Sequence, residues 1–271
     1  MVVSILGCGW YGKALAHTLI KRGVIVKGSV TTSVGLPKLR SVGILPYEVM
    51  FEEDAKRYDP DFFDCNVLVV SIPPGFKKGR GESYLSKMGD LVSTLIQHQV
   101  KKVIYISSTG VYGNHNKEVN EFDEPDPDSI SGNILLAAER LLQKQTTFKV
   151  TILRFGGLVG PGRHPGRFFS GKTDVPNGLA PVNLIHLIDS VGLTEAIIEK
   201  NLFGFLFNAC SPDHPVKSVF YCEMALKSNQ PVPGFIDELK KWKLVNSVNL
   251  TTILAYEFIV KFWKDYPVEE I

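Results

Sequence analysis

Short apolar runs alternate with amphipathic stretches along the first 155 residues of this 271-residue chain. Continuous apolar runs are typical of parallel strands that are buried on both faces. They predict strands at residues 2–6, 24–30, 44–49, 66–72, 102–107 and 150–155. Helical spacing between them predicts helices at residues 13–20, 36–42, 82–97 and 131–143. Ser129 or Ser131 would be the N-cap of the last helix.

The pattern loosens after Phe155. Glycine and proline crowd residues 156–166, which predicts a loop. Further on, the periodicity predicts a helix, a strand and two short amphipathic pieces at residues 183–200, 203–208, 219–226 and 236–242. The polar stretch 51–64 is predicted to be a loop or a single turn.

Strands that alternate with helices in this way predict an α/β fold with a doubly wound parallel sheet. We predict a nucleotide-binding domain at residues 1–155 and a smaller C-terminal substrate or lid domain at residues 156–271. Segments near residues 181–210 would return to the core of the first domain.

Composition narrows the class of protein. Apolar residues make up 44% of the chain, which is too many for a disordered protein. The formal net charge is +2 with acids and bases interspersed, so nothing indicates nucleic-acid binding. The four cysteines lack C-x-x-C spacing and no two histidines have metal-ligand spacing, which favours reduced thiols and no metal site. We expect a soluble, cytoplasmic monomer or homodimer without a membrane span.

The first strand runs into three glycines spaced G-x-G-x-x-G, namely Gly7, Gly9 and Gly12. In dinucleotide-binding proteins the first glycine allows a tight turn, the second admits the pyrophosphate, and the third lets the helix pack on the strand. The strand, turn, helix and second strand occur in the order that this motif requires. The alternative is a glycine-rich turn in some other α/β protein.

The cofactor that this motif would bind is predicted to be NADP, with NAD as the alternative. The usual acidic residue for the ribose 2′-hydroxyl is missing, because no acid occurs between Gly12 and Glu48. Hydroxyls and cations that suit a 2′-phosphate lie at and beyond the end of the second strand instead, unless they form an ordinary solvated loop: Ser29, Thr31, Thr32, Ser33, Lys38 and Arg40. Trp10, Tyr11, Ile72, Pro73 and Ser107 complete the predicted cofactor-binding set.

Four segments resemble the extended short-chain dehydrogenases/reductases, in their epimerase/dehydratase branch. They are Y-I-S-S-T-G-V-Y-G at 105–113, R-F-G-G-L-V-G-P-G-R at 154–163, P-V-N-L-I-H-L-I-D at 181–189 and F-N-A-C-S-P at 207–212. The resemblance implies a Rossmann-type domain, an NAD or NADP cofactor and often a nucleotide-sugar substrate. It also implies that Ser108 binds a substrate hydroxyl or carbonyl, although a strand-end cap is an equal alternative.

The resemblance implies a catalytic Tyr and Lys on one helix, in a Y-G-x-x-K-L-A-A-E pattern. This chain reads S-G-N-I-L-L-A-A-E at 131–139, which places Ser131 and Leu135 at those two positions. No Tyr occurs between Tyr112 and Tyr221, and no Lys between Lys117 and Lys144. The chain is therefore identified as an atypical member.

The proton donor is left open among bound water, a ribose hydroxyl and His164, which lies in the Gly/Pro loop. Two functions follow. The first is an oxidoreductase or epimerase-like enzyme that acts on a small carbonyl, an alcohol or a nucleotide sugar. The alternative is a non-catalytic NAD(P)-binding regulatory or sensor protein.

Overall fold

The computed structural model describes residues 1–52, 55–74 and 81–265. The strands are β1 (Val2–Leu6), β2 (Ile25–Val30), β3 (Leu45–Glu48), β4 (Met50–Glu52), β5 (Ala55–Arg57), β6 (Val67–Val70), β7 (Lys102–Ser108), β8 (Lys117–Val119), β9 (Lys149–Phe155), β10 (Gly157–Val159), β11 (Leu184–His186), β12 (Leu206–Ala209) and β13 (Lys243–Val245). The α-helices are α1 (Trp10–Lys21), α2 (Leu36–Arg40), α3 (Gly81–Gln97), α4 (Ile130–Gln143), α5 (Leu187–Glu199), α6 (Lys217–Lys227) and α7 (Val248–Thr252). No helix in this part of the chain is long and apolar enough to cross a membrane.

A seven-stranded parallel sheet has the order β12-β9-β7-β6-β1-β2-β3. The fold is therefore the doubly wound α/β class that the sequence predicts. Strand order reverses between β1 and β6, which pair in parallel from Val3↔Val67 to Leu6↔Val70. In open sheets of this kind, ligands bind outside the carboxyl ends of the strands at this reversal.

Two stretches differ from the sequence-based expectation. Residues 51–64 contain part of the β4–β5 hairpin and a 3-10 turn at Pro60–Phe63, except for residues 53–54, which lie outside the described part. The turn forms because the buried Lys27 ammonium donates to the Asp61 and Asp64 carbonyls. Residues 236–242 form no helix, because their backbone amides donate to the 175–178 loop, as Ile236 does to the Val175 carbonyl and Lys240 to Asn177 Oδ1.

The chain divides into two compact units. The first comprises residues 1–107, 129–153 and 193–206, and the second comprises residues 108–128, 154–192 and 207–271. The domain boundary at residue 155 stays a prediction; in the structure, residues 108–128 belong to the second unit together with residues 154–192. The cause is the Glu121 carboxylate, which accepts hydrogen bonds from the amides of Asn208, Val248 and Asn249.

Asp189 anchors the C-terminal segment of the second unit. Its buried carboxylate accepts hydrogen bonds from the Tyr256 hydroxyl at 3.0 Å, the Ile259 amide at 2.7 Å and the Val260 amide at 3.0 Å. A side chain at position 192 would collide with the Tyr256 ring, so Gly192 is required beneath this contact.

Asp189→Ala should lower the free energy of unfolding of the second unit by about 3 kcal/mol or more, because two backbone amides lose their acceptor. Asp189→Asn, which keeps one oxygen acceptor, should lose less. Urea unfolding followed by the fluorescence of Trp242 and Trp263 measures this change. A loss below about 1 kcal/mol in the alanine variant would show that water replaces the carboxylate.

Candidate functional site

The turn after β1 is built on two glycines that the backbone requires. Gly7 has a φ of +90°, and a Cβ there would lie 2.9 Å from Ile72 Cγ2 and 3.1 Å from the Ile72 amide nitrogen. A Cβ on Gly12 would lie 3.0 Å from the Gly7 carbonyl oxygen. The turn therefore packs against the end of β6 on one side and against helix α1 on the other.

Gly9 differs, because a Cβ on it would meet no atom within 4 Å. It is the N-cap of α1, it provides no capping side chain, and no acidic residue occurs in the first turn. A helix N-terminus attracts anions through its amides and its dipole. The exposed space at Gly9 is thus where a phosphate group could approach the backbone.

Ser29 of β2 stabilises this turn through two hydrogen bonds. Its buried hydroxyl accepts a hydrogen bond from the Gly7 amide at 3.0 Å, and its carbonyl accepts one from the Cys8 amide at 2.9 Å. Cys8 packs against Gly28 of β2, where a Cβ would lie 3.0 Å from its sulfur. Burial raises the pKa of the Cys8 thiol to about 11, so it is an inert neutral group. All four cysteines are free thiols.

A pocket of about 210 Å³ opens at the carboxyl ends of the strands on this side of the sheet. Most of its lining is apolar: Leu6, Val49, Met50, Phe51, Ile72, Pro73 and Pro74. The polar lining residues are Thr31, Ser83, Tyr84 and Lys87. No acidic residue is among the described residues that line it. An apolar slot with few polar groups suits the adenosine half of a dinucleotide.

The structure brings only part of the predicted cofactor set to this pocket. Thr31, Ile72 and Pro73 line it, whereas the exposed Lys38 and Arg40 of α2 are not among its lining residues. Thr32 is exposed one residue beyond Thr31, and Trp10 is half-buried at the start of α1. Gly75, which follows Pro73 and Pro74 in the sequence, lies outside the described residues.

Two predicted residues direct their hydroxyls elsewhere in the first unit. The Tyr11 hydroxyl lies 2.6 Å from Thr194 Oγ1, and the Ser107 hydroxyl donates to Glu139 Oε1 at 2.5 Å. Both side chains are buried, so a cofactor could meet these residues only through their backbone. Their assignment to cofactor binding stays a prediction.

Helix α3 supplies pocket residues that the sequence reasoning missed. The Tyr84 hydroxyl lies 2.9 Å from the Tyr105 hydroxyl and donates to the Ile72 carbonyl at 3.3 Å, which ties α3 to the end of β6. Burial raises the pKa of Tyr84 to about 12, so it is neutral. No local pattern singles out Lys87, which occupies an ordinary polar position of the helix beside Met88.

Ser108 begins the second unit at the end of β7. Its hydroxyl accepts a hydrogen bond from the Gly110 amide at 3.1 Å and caps the 3-10 turn at Thr109–Val111. Accepting this bond does not use the O–H proton, which can donate to a ligand oxygen. The capping alternative is therefore present in the structure, and it is compatible with a ligand role.

Tyr112 completes the turn that Ser108 begins. Its buried hydroxyl accepts a hydrogen bond from Arg154 Nη1 at 2.7 Å and donates to the Asn120 carbonyl at 2.9 Å. The Arg154 guanidinium also lies over its ring, 4.9 Å from the centroid. Burial raises the pKa of Tyr112, so its hydroxyl stays protonated and fixes the turn.

His164 lies in the Gly/Pro loop, which packs against α6. Its Nδ1 accepts the Gly166 amide at 3.0 Å, an arrangement that assigns the proton to Nε2. Nε2 is buried and has no hydrogen-bond partner in the described part of the chain. Burial, aided by the charge of Arg167, lowers the pKa of His164 below its usual value. The neutral ring is thus a hydrogen-bond donor, and its basic nitrogen is already engaged.

Helix α4 begins as predicted, with Ser129 as N-cap and its hydroxyl accepting the Gly132 amide. Ser131 lies in the first turn, with its hydroxyl 3.2 Å from that of Ser129. Leu135 is only 8% exposed and packs into the first unit. Neither side chain can carry an acidic hydroxyl or a cation.

The comparisons with known proteins place the chain in a family. The model of the NAD dependent epimerase/dehydratase family matches residues 82–174. Protein YeeZ of Escherichia coli strain K12 is 36% identical over 261 residues, which cover 94% of this chain and 95% of YeeZ. The chain belongs to the NAD dependent epimerase/dehydratase family, within the extended short-chain dehydrogenases/reductases.

Solved structures share the fold. UDP-glucuronic acid 4-epimerase from Bacillus cereus, in complex with NAD, matches with a TM-score of 0.78 and 20% identity over 96% of this chain and 94% of that one. MoeE5 in complex with UDP-glucuronic acid and NAD matches with a TM-score of 0.76 and 18% identity over 99% and 97%. At these identities the likeness concerns architecture.

Acidification should loosen the His164 loop. The pKa of His164 is lower in the folded chain than in the unfolded one, so the unfolded chain binds more protons once the pH falls below about 6.5. The contribution of neutral His164 to the free energy of unfolding is complete above that pH. It is lost as the pH falls toward the pKa of His164 in the folded chain, because protonation of Nδ1 breaks the hydrogen bond from the Gly166 amide.

The variant His164→Asn keeps an acceptor for Gly166 without titrating, and should therefore lose less stability between pH 7 and pH 5 than the wild type. Arg167→Gln removes a positive charge that disfavours protonation of His164. This variant should therefore also lose less stability than the wild type, by a smaller margin than His164→Asn. Thermal unfolding at the two pH values measures both effects. Equal losses in all three proteins would contradict this account.

Proposed function

We propose that the chain binds NADP(H) in its first unit and acts as an oxidoreductase or epimerase-like enzyme on a nucleotide sugar. The observation that carries the proposal is the glycine turn with its open space at Gly9, next to a pocket at the strand reversal whose described lining contains no acidic residue. Membership of the NAD dependent family supports it, as do NAD-bound neighbours of the same fold.

The residues of the first unit fit such a cofactor. The pyrophosphate would lie against Gly9 and the first turn of α1, and the adenosine would lie in the pocket between Thr31 and Ile72. A nicotinamide dinucleotide, when bound, supplies hydride transfer. The chain's own part is to hold the dinucleotide and to orient a substrate oxygen, for which Ser108 is the proposed donor.

The substitution Gly9→Val should abolish NADPH binding while the fold survives, because the added side chain enters the space proposed for the pyrophosphate, where a Cβ meets no atom within 4 Å. Gly89→Val of α3 is a matched control, since a Cβ there also meets no atom within 4 Å. Calorimetric titration with NADPH and the thermal midpoint are measured for both. An affinity of Gly9→Val for NADPH equal to that of the wild type would contradict the proposal.

We further propose that Lys87, with Thr31, reads the 2′-phosphate that distinguishes NADP from NAD. A charge-assisted hydrogen bond is worth roughly 1.5–3 kcal/mol, so the preference for NADP should be about tenfold or more. Lys87→Met should remove it, whereas Lys38→Met, on an exposed position outside the pocket, should not. Titration of each variant with both dinucleotides measures the ratio. Loss of preference in Lys38→Met instead would move the phosphate to α2.

For the substrate we propose a nucleotide sugar bound by the second unit. The fold neighbours contain UDP-glucose or UDP-glucuronic acid together with NAD. The turn that begins at Ser108 is held rigidly by Tyr112 and Arg154, which is the property that a group positioning a substrate oxygen needs.

A second function, dinucleotide sensing without turnover, is favoured by one observation. Ser131 and Leu135 occupy the positions where the family resemblance implies Tyr and Lys, and neither supplies an acid or a cation. Stopped-flow absorbance with bound NADPH separates the two functions. An enzyme oxidises the cofactor when the correct substrate is added, whereas a sensor only binds it.

A further inference from the structure

The second unit holds one lysine in an unusually fixed position. Lys243 begins β13, which pairs in parallel with β8 in the register Lys243↔Lys117. Asn183 Nδ2 donates to the Lys243 carbonyl at 2.8 Å, and Asn183 Oδ1 accepts the Val245 amide at 2.8 Å. Trp242, one residue earlier, exchanges two hydrogen bonds with Asn116. Contacts from two separate segments, residues 116–119 and Asn183, therefore hold the backbone around Lys243.

The side chain of Lys243 contacts the turn formed by residues 108–112, which we call the Ser108 turn. Its ammonium donates a hydrogen bond to the carbonyl of Tyr112, and the side chain is half-buried. Burial lowers the pKa of Lys243, and the charge of Asp128 partly opposes this effect. The Asp128 carboxylate itself is engaged by the amide and the side chain of Asn114.

Lys27 shows what a purely structural lysine looks like in this chain. Its buried ammonium uses its N–H groups on the Asp61 and Asp64 carbonyls and on the Asp61 carboxylate at 3.0 Å. Lys243, by contrast, makes one hydrogen bond among the described residues, out of the three that an ammonium can donate. Its remaining N–H groups can meet a ligand.

The Ser108 turn links this cation to the proposed substrate donor. Ser108 caps the turn, the Tyr112 amide donates to the Thr109 carbonyl, and the Tyr112 side chain is fixed by Arg154. Ser108 and the Tyr112 carbonyl are thus the two ends of one rigid turn. A sugar that Ser108 contacts would therefore lie at one end of this turn, and the Lys243 ammonium lies at the other end.

We propose that Lys243 is a substrate-binding cation that recognises a carboxylate on the sugar, so that the chain prefers uronic acid nucleotides to neutral ones. This inference rests on the proposed function and deepens it, because it names the class of nucleotide sugar. A half-buried ammonium with unused N–H donors can form a charge-assisted hydrogen bond with a carboxylate. Its hydrogen bond with a neutral hydroxymethyl group would be much weaker.

The test compares UDP-glucuronic acid with UDP-glucose, whose sugars differ by a carboxylate against a hydroxymethyl group. Calorimetry with the NADPH-saturated full chain should show tighter binding of UDP-glucuronic acid by about tenfold or more. Lys243→Gln keeps an N–H donor for the Tyr112 carbonyl but removes the charge, so it should lose the preference and keep its affinity for UDP-glucose. Lys243→Arg, which keeps the charge, should retain part of the preference.

Lys241→Gln is the matched control, since this lysine is exposed two residues earlier, and it should behave like the wild type. An equal preference in Lys243→Gln and the wild type, or no preference in the wild type, overturns the inference alone. Equal loss of affinity for both ligands in Lys243→Gln makes Lys243 structural and also overturns the inference. If Lys243→Gln misfolds, the uncharged variant Lys243→Met takes its place, and a wild-type preference in that variant overturns the inference. Binding of neither nucleotide while NADPH still binds overturns the proposed substrate and the inference together.

Discussion

Close backbone packing between Gly7 and the end of β6 is the constraint on which the first unit depends. The glycine leaves no room for a side chain beside Ile72, and its positive φ turns the chain so that α1 can begin at Trp10. The Ser29 hydroxyl supports the Gly7 amide from β2. Because the turn lies where the strand order reverses, this packing also positions the helix N-terminus at the mouth of the crevice.

In the second unit, hydrogen bonds from polar side chains fix the backbone, as the packing at Gly7 does in the first unit. The half-buried carboxylate of Glu121 and the buried carboxylate of Asp189 accept hydrogen bonds from backbone amides of segments far apart in the sequence. Asn183 clamps β13 in the same way through its side-chain amide. Since each of these groups would be costly to leave unpaired, they fix the arrangement of loops that have little regular secondary structure of their own. Lys243 owes its position to the hydrogen bonds of Asn183.

The sequence predicts the sheet well because most of its strands are short, mainly apolar runs that end at a glycine or a polar loop. It also predicts the turn at Gly7, since only a glycine fits there. Helix ends were less exact: α1 begins at Trp10, three residues before the predicted start.

Residues that depend on distant contacts escaped prediction. No pattern in the neighbouring sequence indicates that residues 108–128 belong with the C-terminal segments. The hydrogen bonds that the Glu121 carboxylate accepts come from the amides of residues 208, 248 and 249, which are far away in the sequence. Lys87 and Lys243 were missed for the same reason. Lys38 and Arg40 are close to β2 in sequence, yet they do not line the pocket, whereas Lys87 reaches it from a helix that follows β6.

A crystal structure of the chain grown with saturating NADP and UDP-glucuronic acid tests the central claim most directly. The account predicts electron density for the pyrophosphate against Gly9 and the first turn of α1, with the adenosine 2′-phosphate within hydrogen-bond distance of Lys87. A dinucleotide bound anywhere else on the chain, or a filled glycine turn with the adenosine outside the pocket lined by Thr31 and Ile72, would contradict it.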